Sequence, residues 1–238
     1  MTARFSTGLV SRLADTAPMN ALFAGGFIDI YTGAQPTSPD AAATGTLLAT
    51  VYSDGAAAGL SLARTAIAGV ISKLGSQNWS TNACVASGTA GYFRFRAPKD
   101  PGAIVAGGTI TAAARAANQA VIVFTQAGHS QVVGNKIVTS GFTADAYNVH
   151  GTVVAITGTT FSVVGETVAG GAGDTAAVIG TYTYSVPVND TGASASATAV
   201  RIDGAIGTSG AEMNLGSLTF TAGAPFVMAG AAFTIPQV

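Results

Sequence analysis

Val200-Arg201-Ile202-Asp203-Gly204-Ala205-Ile206-Gly207-Thr208-Ser209-Gly210-Ala211-Glu212-Met213-Asn214-Leu215-Gly216-Ser217-Leu218-Thr219-Phe220 is the stretch from which the fold reads outward. Val200 and Ile202 form a short strand, Asp203-Gly204 is a turn signal, and Ile206 starts another strand. Thr208-Ser209-Gly210 is a polar turn, and Leu215, Leu218 and Phe220 carry the apolar content of the next strand. Upstream, Gly91-Tyr92-Phe93-Arg94-Phe95-Arg96 alternates apolar and basic residues, the period of a half-buried strand. The two stretches read as neighbours in one sheet, although about a hundred residues separate them. That gap predicts a domain inserted into a β scaffold.

The remaining chain fits this plan. Leu9, Val10, Leu13, Met19, Leu22 and Phe23 recur at helical intervals over 6–24, with Ser6 or Thr7 as cap and Pro18 as the point of a kink or split. Gly25-Gly26 ends the helix, and Phe27-Ile28-Asp29-Ile30-Tyr31 comes next as a strand with Ile28 and Ile30 on the face opposite Phe27, Asp29 and Tyr31. Residues 32–40 form a Pro-rich loop, and Leu47–Tyr52 returns as a strand. Residues 56–72 read as either helix or strand: Ala and Leu favour a helix, while Gly59 and Gly69 oppose it. Pro98-Lys99-Asp100-Pro101-Gly102 is the strongest breaker cluster and marks departure into the insertion. Inside it, strands are expected at 120–124, 136–139, 152–156, 160–164 and 181–186, with a loop at 170–174. Thr191–Thr198 is Ala/Ser low complexity and is expected to be a mobile connection. Phe226–Met228 and Phe233–Ile235 supply the last strands.

The expected fold is all-β: a sandwich-like scaffold from residues 1–98 and 188–238, a small β module at about 102–186, and a short N-terminal helix. Only 9% of residues are charged, against roughly 25% in an average soluble domain. A surface with so little charge suits a protein largely covered by copies of itself or by a shell. The formal net charge of −1 provides no electrostatic footprint for nucleic acid. The single cysteine, Cys84, excludes a disulfide within the chain and reads as a small buried apolar residue. The first fifteen residues lack the apolar core of a signal peptide, and no apolar run has membrane-spanning length, so a soluble protein is expected.

Catalytic chemistry finds little purchase. His129 and His150 are the only histidines, both in the insertion and both beside glycine. Ser130, His150 and Asp145 could be written as a hydrolytic triad, but their spacing does not single them out. Two histidines and one cysteine far apart in sequence are a poor zinc set. Gly170-Gly171-Ala172-Gly173-Asp174 is an unrepeated fragment of a calcium-roll pattern and lacks the Lys-Ser/Thr of a phosphate loop. Arg94 and Arg96 share one strand face, where they pair with Asp203, meet a neighbouring chain, or lie solvated. No catalytic, cofactor-binding or metal-binding residue is assigned, and no cofactor is expected.

Three segments carry a resemblance: Ile28–Pro36 with Gly45–Thr50, Ala86–Arg96, and Arg201–Leu215 with its Gly-Thr-Ser-Gly-Ala-Glu-Met-Asn-Leu ending. Together they resemble a family of tailed-bacteriophage virion proteins. Within the insertion, Gly128-His129-Ser130, Val133–Gly141, Tyr147-Asn148, Gly151-Thr152-Val153 and Thr160-Phe161 resemble a small β module of phage tail and surface proteins. Ser130 after the histidine, Asn135-Lys136 in place of Gly-Asp, and Val149-His150 before Gly151 depart from that module's pattern. The resemblance implies a structural virion component made in the host bacterial cytoplasm. Its expected partners are the major capsid protein and copies of itself, a homotrimer being the expected arrangement, with host-surface contact through the insertion. On this reading segment 1–24 or loop 33–46 reaches across to the capsid or to a neighbouring subunit. A capsid decoration protein is the leading expectation, and a tail, baseplate or fibre-associated protein the alternative.

Overall fold

A computed structural model describes residues 3–15, 18–55, 58–68, 70–116, 119–165, 174–176 and 180–234. The protein is all-β, with two short helices at its N-terminal end. It divides into two compact units, one formed by residues 1–100 and 189–238 and the other by 101–188.

The first unit is organised around a nine-stranded sheet. Along its main path lie Arg4–Phe5, Arg201–Gly207, Gly88–Arg96, Phe27–Thr32, Leu47–Ser53, Trp79–Thr81 and Phe226–Met228. Gly88–Arg96 is central. It pairs antiparallel with Phe27–Thr32 on one side and with Arg201–Gly207 on the other, with Phe95 opposite both Ile28 and Ile202. The side-chain alternation of these strands divides the sheet cleanly. Ile28, Ile30, Phe93, Phe95 and Ile202 face an apolar core. Asp29, Tyr31, Tyr92, Arg94, Arg96, Arg201 and Asp203 occupy the alternate positions.

The apolar face is covered by the N-terminal helices, the 58–72 segment and the C-terminal segment. The helix break expected at Pro18 divides Thr7–Asp15 from Met19–Leu22. Ser6 is the cap: its Oγ accepts the Leu9 N–H at 3.1 Å, while the Asp40 carboxylate takes the Thr7 N–H at 3.0 Å. Phe23 stacks on Phe95 with centroids 4.3 Å apart, and Phe233 stacks on the same ring at 5.2 Å. Burying each such ring contributes about 1.5–3 kcal/mol. The ambiguous 56–72 stretch is neither a helix nor a long strand. Within its described residues, isolated bridges at Ala58, Leu60, Leu62 and Ile67 lead into the strand Val70–Ser72, which pairs with Ala232–Thr234. Residues 56, 57 and 69 lie outside the described residues.

One local expectation is overturned. Asp203-Gly204 is no turn; Arg201–Gly207 is a single strand running straight through it. Asp203 sits opposite Arg94 and is its ion-pair partner, and Gly204 sits opposite Phe93. A Cβ on Gly204 would come within 2.5 Å of the Phe93 ring. The glycine is there for close approach, not for reversal.

The second unit is a closed antiparallel ring of strands. Val105–Ile110 and Ala112–Arg115 form one bent strand interrupted at Thr111. On one edge it pairs with Gly180–Ser185 and Asp174–Ala176, and on the other with Val121–Thr125. Val121–Thr125 pairs with Thr160–Gly165, which pairs with His150–Ile156, then Lys136–Ser140, which returns to Gly180–Ser185. The pairings therefore close on themselves as a small barrel. Ile110, Ile122, Phe124, Ile137, Val153, Phe161, Val163 and Tyr182 form its buried core. The bent 105–115 strand was not expected from the sequence, because Gly107, Gly108 and four alanines provide no apolar period. The loop expected at 170–174 lies outside the described residues except for Asp174.

Candidate functional site

The second face of the scaffold sheet is polar, yet it is buried. Arg94 Nε and Nη2 donate to the two carboxylate oxygens of Asp203 at 2.8 and 2.7 Å, with both side chains fully buried. Arg201 grips Asp190 in the same bidentate manner at 2.8 and 2.6 Å. Arg96 Nε donates to Asp29 at 2.6 Å, and the Thr50 hydroxyl donates to the other Asp29 oxygen at 2.7 Å. The planar guanidinium fork matches a carboxylate in a way an ammonium cannot.

The remaining arginine donors hold two loops over this face. Arg94 Nη1 donates to the carbonyls of Ala41 and Gly192, and Arg201 Nη1 to those of Pro39 and Ser194. Arg96 Nη1 donates to the Asp190 carbonyl, and Arg4 to that of Pro36. The Tyr92 hydroxyl donates to the Thr44 carbonyl at 2.7 Å and accepts the Thr44 N–H at 2.9 Å. Tyr31 stacks on Tyr92 with centroids 5.1 Å apart, and the Arg96 guanidinium lies 4.8 Å over the Phe27 ring.

Two sequence expectations change as a result. Thr191–Thr198 is not a mobile connection: it is fastened to the sheet by arginines and by the Ser196 and Thr198 hydroxyls, which donate to Asp100. Its Ala/Ser composition gave no hint of donors arriving from distant strands. Likewise, loop 33–46 lies on its own sheet, and the N-terminal segment is built into it through the Arg4–Phe5 strand and the Ser6 hydrogen bonds to Ala199 and Arg201. In the isolated chain neither extends outward.

The electrostatics follow from burial. Burial pushes the Asp203 carboxyl above its ordinary value, against the opposing pull of the Arg94 hydrogen bonds and charge. Asp29 is raised for the same reason, against Arg96 and Thr50. The Tyr31 and Tyr92 hydroxyls are raised mainly by burial as well. The clamp's donors go to carboxylates of the same sheet face and to carbonyls of the two overlying loops, which ties those loops to the sheet.

The stem of the insertion belongs to the same system. Lys99–Asp100 pairs with Val188–Asn189, bringing exit and return side by side. Lys99 Nζ donates to Asn189 Oδ1 at 2.6 Å, and the next residue, Asp190, is held by Arg201.

Among the described residues, no contact joins the side chains weighed for catalysis. His129 accepts the Gln131 N–H at Nδ1, which leaves Nε2–H to donate to the Thr160 carbonyl at 2.9 Å; its ring packs edge-on against Phe161. The Ser130 hydroxyl pairs with that of Tyr184. His150 is exposed, opposite Val138, and the side chain of Asp145 lies outside the described residues. Cys84 is buried, and burial pushes its thiol up. Among the described residues, no group of three or more His, Cys, Asp or Glu is placed to hold a metal ion, and no helix is long and apolar enough to cross a membrane.

A cleft of about 840 Å³ opens on the scaffold, lined by Phe93, Met213, Phe220, Phe226, Met228 and Phe233, with Lys73 and Glu212 among its polar residues. Of the clamp, the pairing with Asp203 was among the alternatives weighed for Arg94 and Arg96, and Arg94 makes it; the rest of the clamp and the cleft were not anticipated. The one signal for the clamp was the Arg94, Arg96 pair on an alternating strand in a chain with only 10 basic residues. The partners Asp29 and Asp190 become visible only with the folded chain. No protein-family model matches the chain, and no curated protein matches it.

Proposed function

We propose that the protein is a structural component of a bacteriophage virion, a decoration protein that binds the outer surface of the head and contacts the major capsid protein and copies of itself. The observation that carries this reading is the build of the scaffold. Its two long loops are fastened by buried ion pairs, and residues 101–188 form a second unit with its own core. Such a rigid carrier with low surface charge suits a position repeated many times on a lattice, where weak contacts gain by avidity. The resemblance of Ile28–Pro36, Ala86–Arg96 and Arg201–Leu215 to tailed-phage virion proteins supports the same reading. No catalytic step, cofactor or nucleic-acid contact is assigned.

The inserted barrel favours a second reading, in which the protein sits on the tail, baseplate or fibre and helps adsorption to the host. Stoichiometry against the major capsid protein in purified particles separates the two. A ratio near one per capsid subunit, or a simple fraction of it, supports decoration; a few dozen copies or fewer supports the tail. Absence from purified particles overturns both.

A further inference from the structure

Loops 33–46 and 191–198 lie over the polar face of the scaffold sheet and are bonded to each other. The Ala43 N–H donates to the Ala193 carbonyl at 3.0 Å, and the Ser196 N–H to the Asp40 carbonyl at 2.8 Å. The same two guanidinium groups hold both loops, since Arg94 reaches Ala41 and Gly192 while Arg201 reaches Pro39 and Ser194. Neither loop contains a Val, Leu, Ile, Met or aromatic residue, and neither supplies a member of the apolar core. Hydrogen bonds, not core packing, therefore fasten this cover. Lifting it hydrates Arg94 and Arg201 while their pairs with Asp203 and Asp190 stay made, and the core on the opposite face stays dry. Segments with few buried apolar contacts are the ones that open locally, at a free energy below that of global unfolding.

One contact ties the cover to the stem of the insertion. Asp100, on the outgoing stem strand, accepts the Ser196 and Thr198 hydroxyls on its two carboxylate oxygens. Asp100 is buried, and hydrogen bonds to an ionised acceptor are the stronger kind. We propose that the two loops form a single cover that opens as one unit, and that Asp100 is its latch, so that a residue of the stem controls access to the buried polar face. Gly33 and Gly45, both at positive φ, bound the first loop. Asp190, gripped by Arg201, is the fixed end of the second. The inference is independent of the virion reading.

The test is amide hydrogen exchange on the purified full chain, read residue by residue. Ala43 and Ser196, one amide from each loop, are expected to show the same opening equilibrium. Both are expected to open at least about tenfold more often than the central strand Gly88–Arg96. Asp100→Ala is expected to raise the opening of both amides together, by about tenfold or more, because it removes two hydrogen bonds to a charged group. The double variant Ser196→Ala/Thr198→Ala removes the same bonds from the other side and is expected to raise the opening at Ala43 equally. Ala43 is the deciding readout, since a merely local role of Asp100 would speed only the amides around residues 196–199. Lys136→Ala, in the barrel, is expected to change neither. Unchanged circular dichroism and central-strand protection show that each variant is folded, and the double variant decides the matter if Asp100→Ala is not. Unequal opening at Ala43 and Ser196 in the wild type overturns the proposal. So does cover protection as high as that of the central strand, or latch variants that leave Ala43 at its wild-type rate.

Discussion

Arg94 and Asp203 lie 109 residues apart in the chain and meet with both side chains fully buried, joined by two parallel hydrogen bonds. The pair crosses from the strand that precedes the insertion to the strand that comes after it. Folding of the scaffold therefore brings together two segments separated by the whole inserted unit, and the pair fixes their register.

Breaking this pair on one side strands a buried charge. Asp203→Ala leaves the Arg94 guanidinium without its carboxylate, and loss of one partner of a buried pair costs about 3–5 kcal/mol. Urea unfolding of the variant should show a midpoint lowered accordingly, with the slope unchanged. A loss of under about 1 kcal/mol, the range of an exposed pair, would show that the site is far wetter than its burial indicates.

The contribution of Asp29 and Asp203 to the pH response should run against the usual acid lability. Asp29 and Asp203 have folded-state pKa values raised above the ordinary carboxylate, burial being the main cause. The folded chain then holds these protons more tightly than the unfolded chain. Their titration adds stability as pH falls through the raised values toward the unfolded value, and removes it as pH rises. Between about pH 7 and about pH 5, the melting temperature of the wild type relative to Asp29→Asn should hold or rise, never fall. A wild type that loses ground to Asp29→Asn on acidification would refute this.

Gly204 tests the strand reading against the turn reading. Its added methyl would meet the Phe93 ring at 2.5 Å and Glu212 Cβ at 2.9 Å. Gly204→Ala should cost about 1–3 kcal/mol by overpacking. At an open turn the same change would cost far less. Thermal unfolding of this variant beside Gly210→Ala, which meets no neighbour but has φ +69°, separates steric crowding from backbone strain.

The insertion should be removable. Lys99–Asp100 and Val188–Asn189 are paired, so replacing residues 101–187 by Asn-Gly gives a two-residue hairpin turn. The shortened chain should fold cooperatively and keep the Arg201–Asp190 and Arg94–Asp203 pairs. An aggregated or molten product would show that the scaffold depends on the module for its stability.

Much of this architecture was readable from side-chain period alone. Gly88–Arg96 and Arg201–Gly207 are neighbours as their patterns implied, and Ile28 and Ile30 face the core while Asp29 and Tyr31 turn away. What escaped was mostly what cross-chain contacts impose on segments whose local chemistry points elsewhere. Asp203-Gly204 carries the local chemistry of a turn, and the ion pair with Arg94 and the crowding of Phe93 overrule it. Thr191–Thr198 has the composition of a linker, and its order comes from Arg94, Arg201 and Asp100, each on another segment. The cleft was invisible for a similar reason, since it is defined by how 212–233 lies over Phe93.

The closed ring of the inserted barrel has a consequence for crowding. Where many copies stand close together, the danger is that open strands recruit one another into extended β assemblies. Among the described residues, Val121–Thr125, Thr160–Gly165, His150–Ile156, Lys136–Ser140 and Gly180–Ser185 each have strand partners on both sides, while Val105–Ile110 and Asp174–Ala176 each have one. Those five strands offer no open edge, so their outward residues can drift in sequence at high display density without turning neighbouring copies into templates for aggregation.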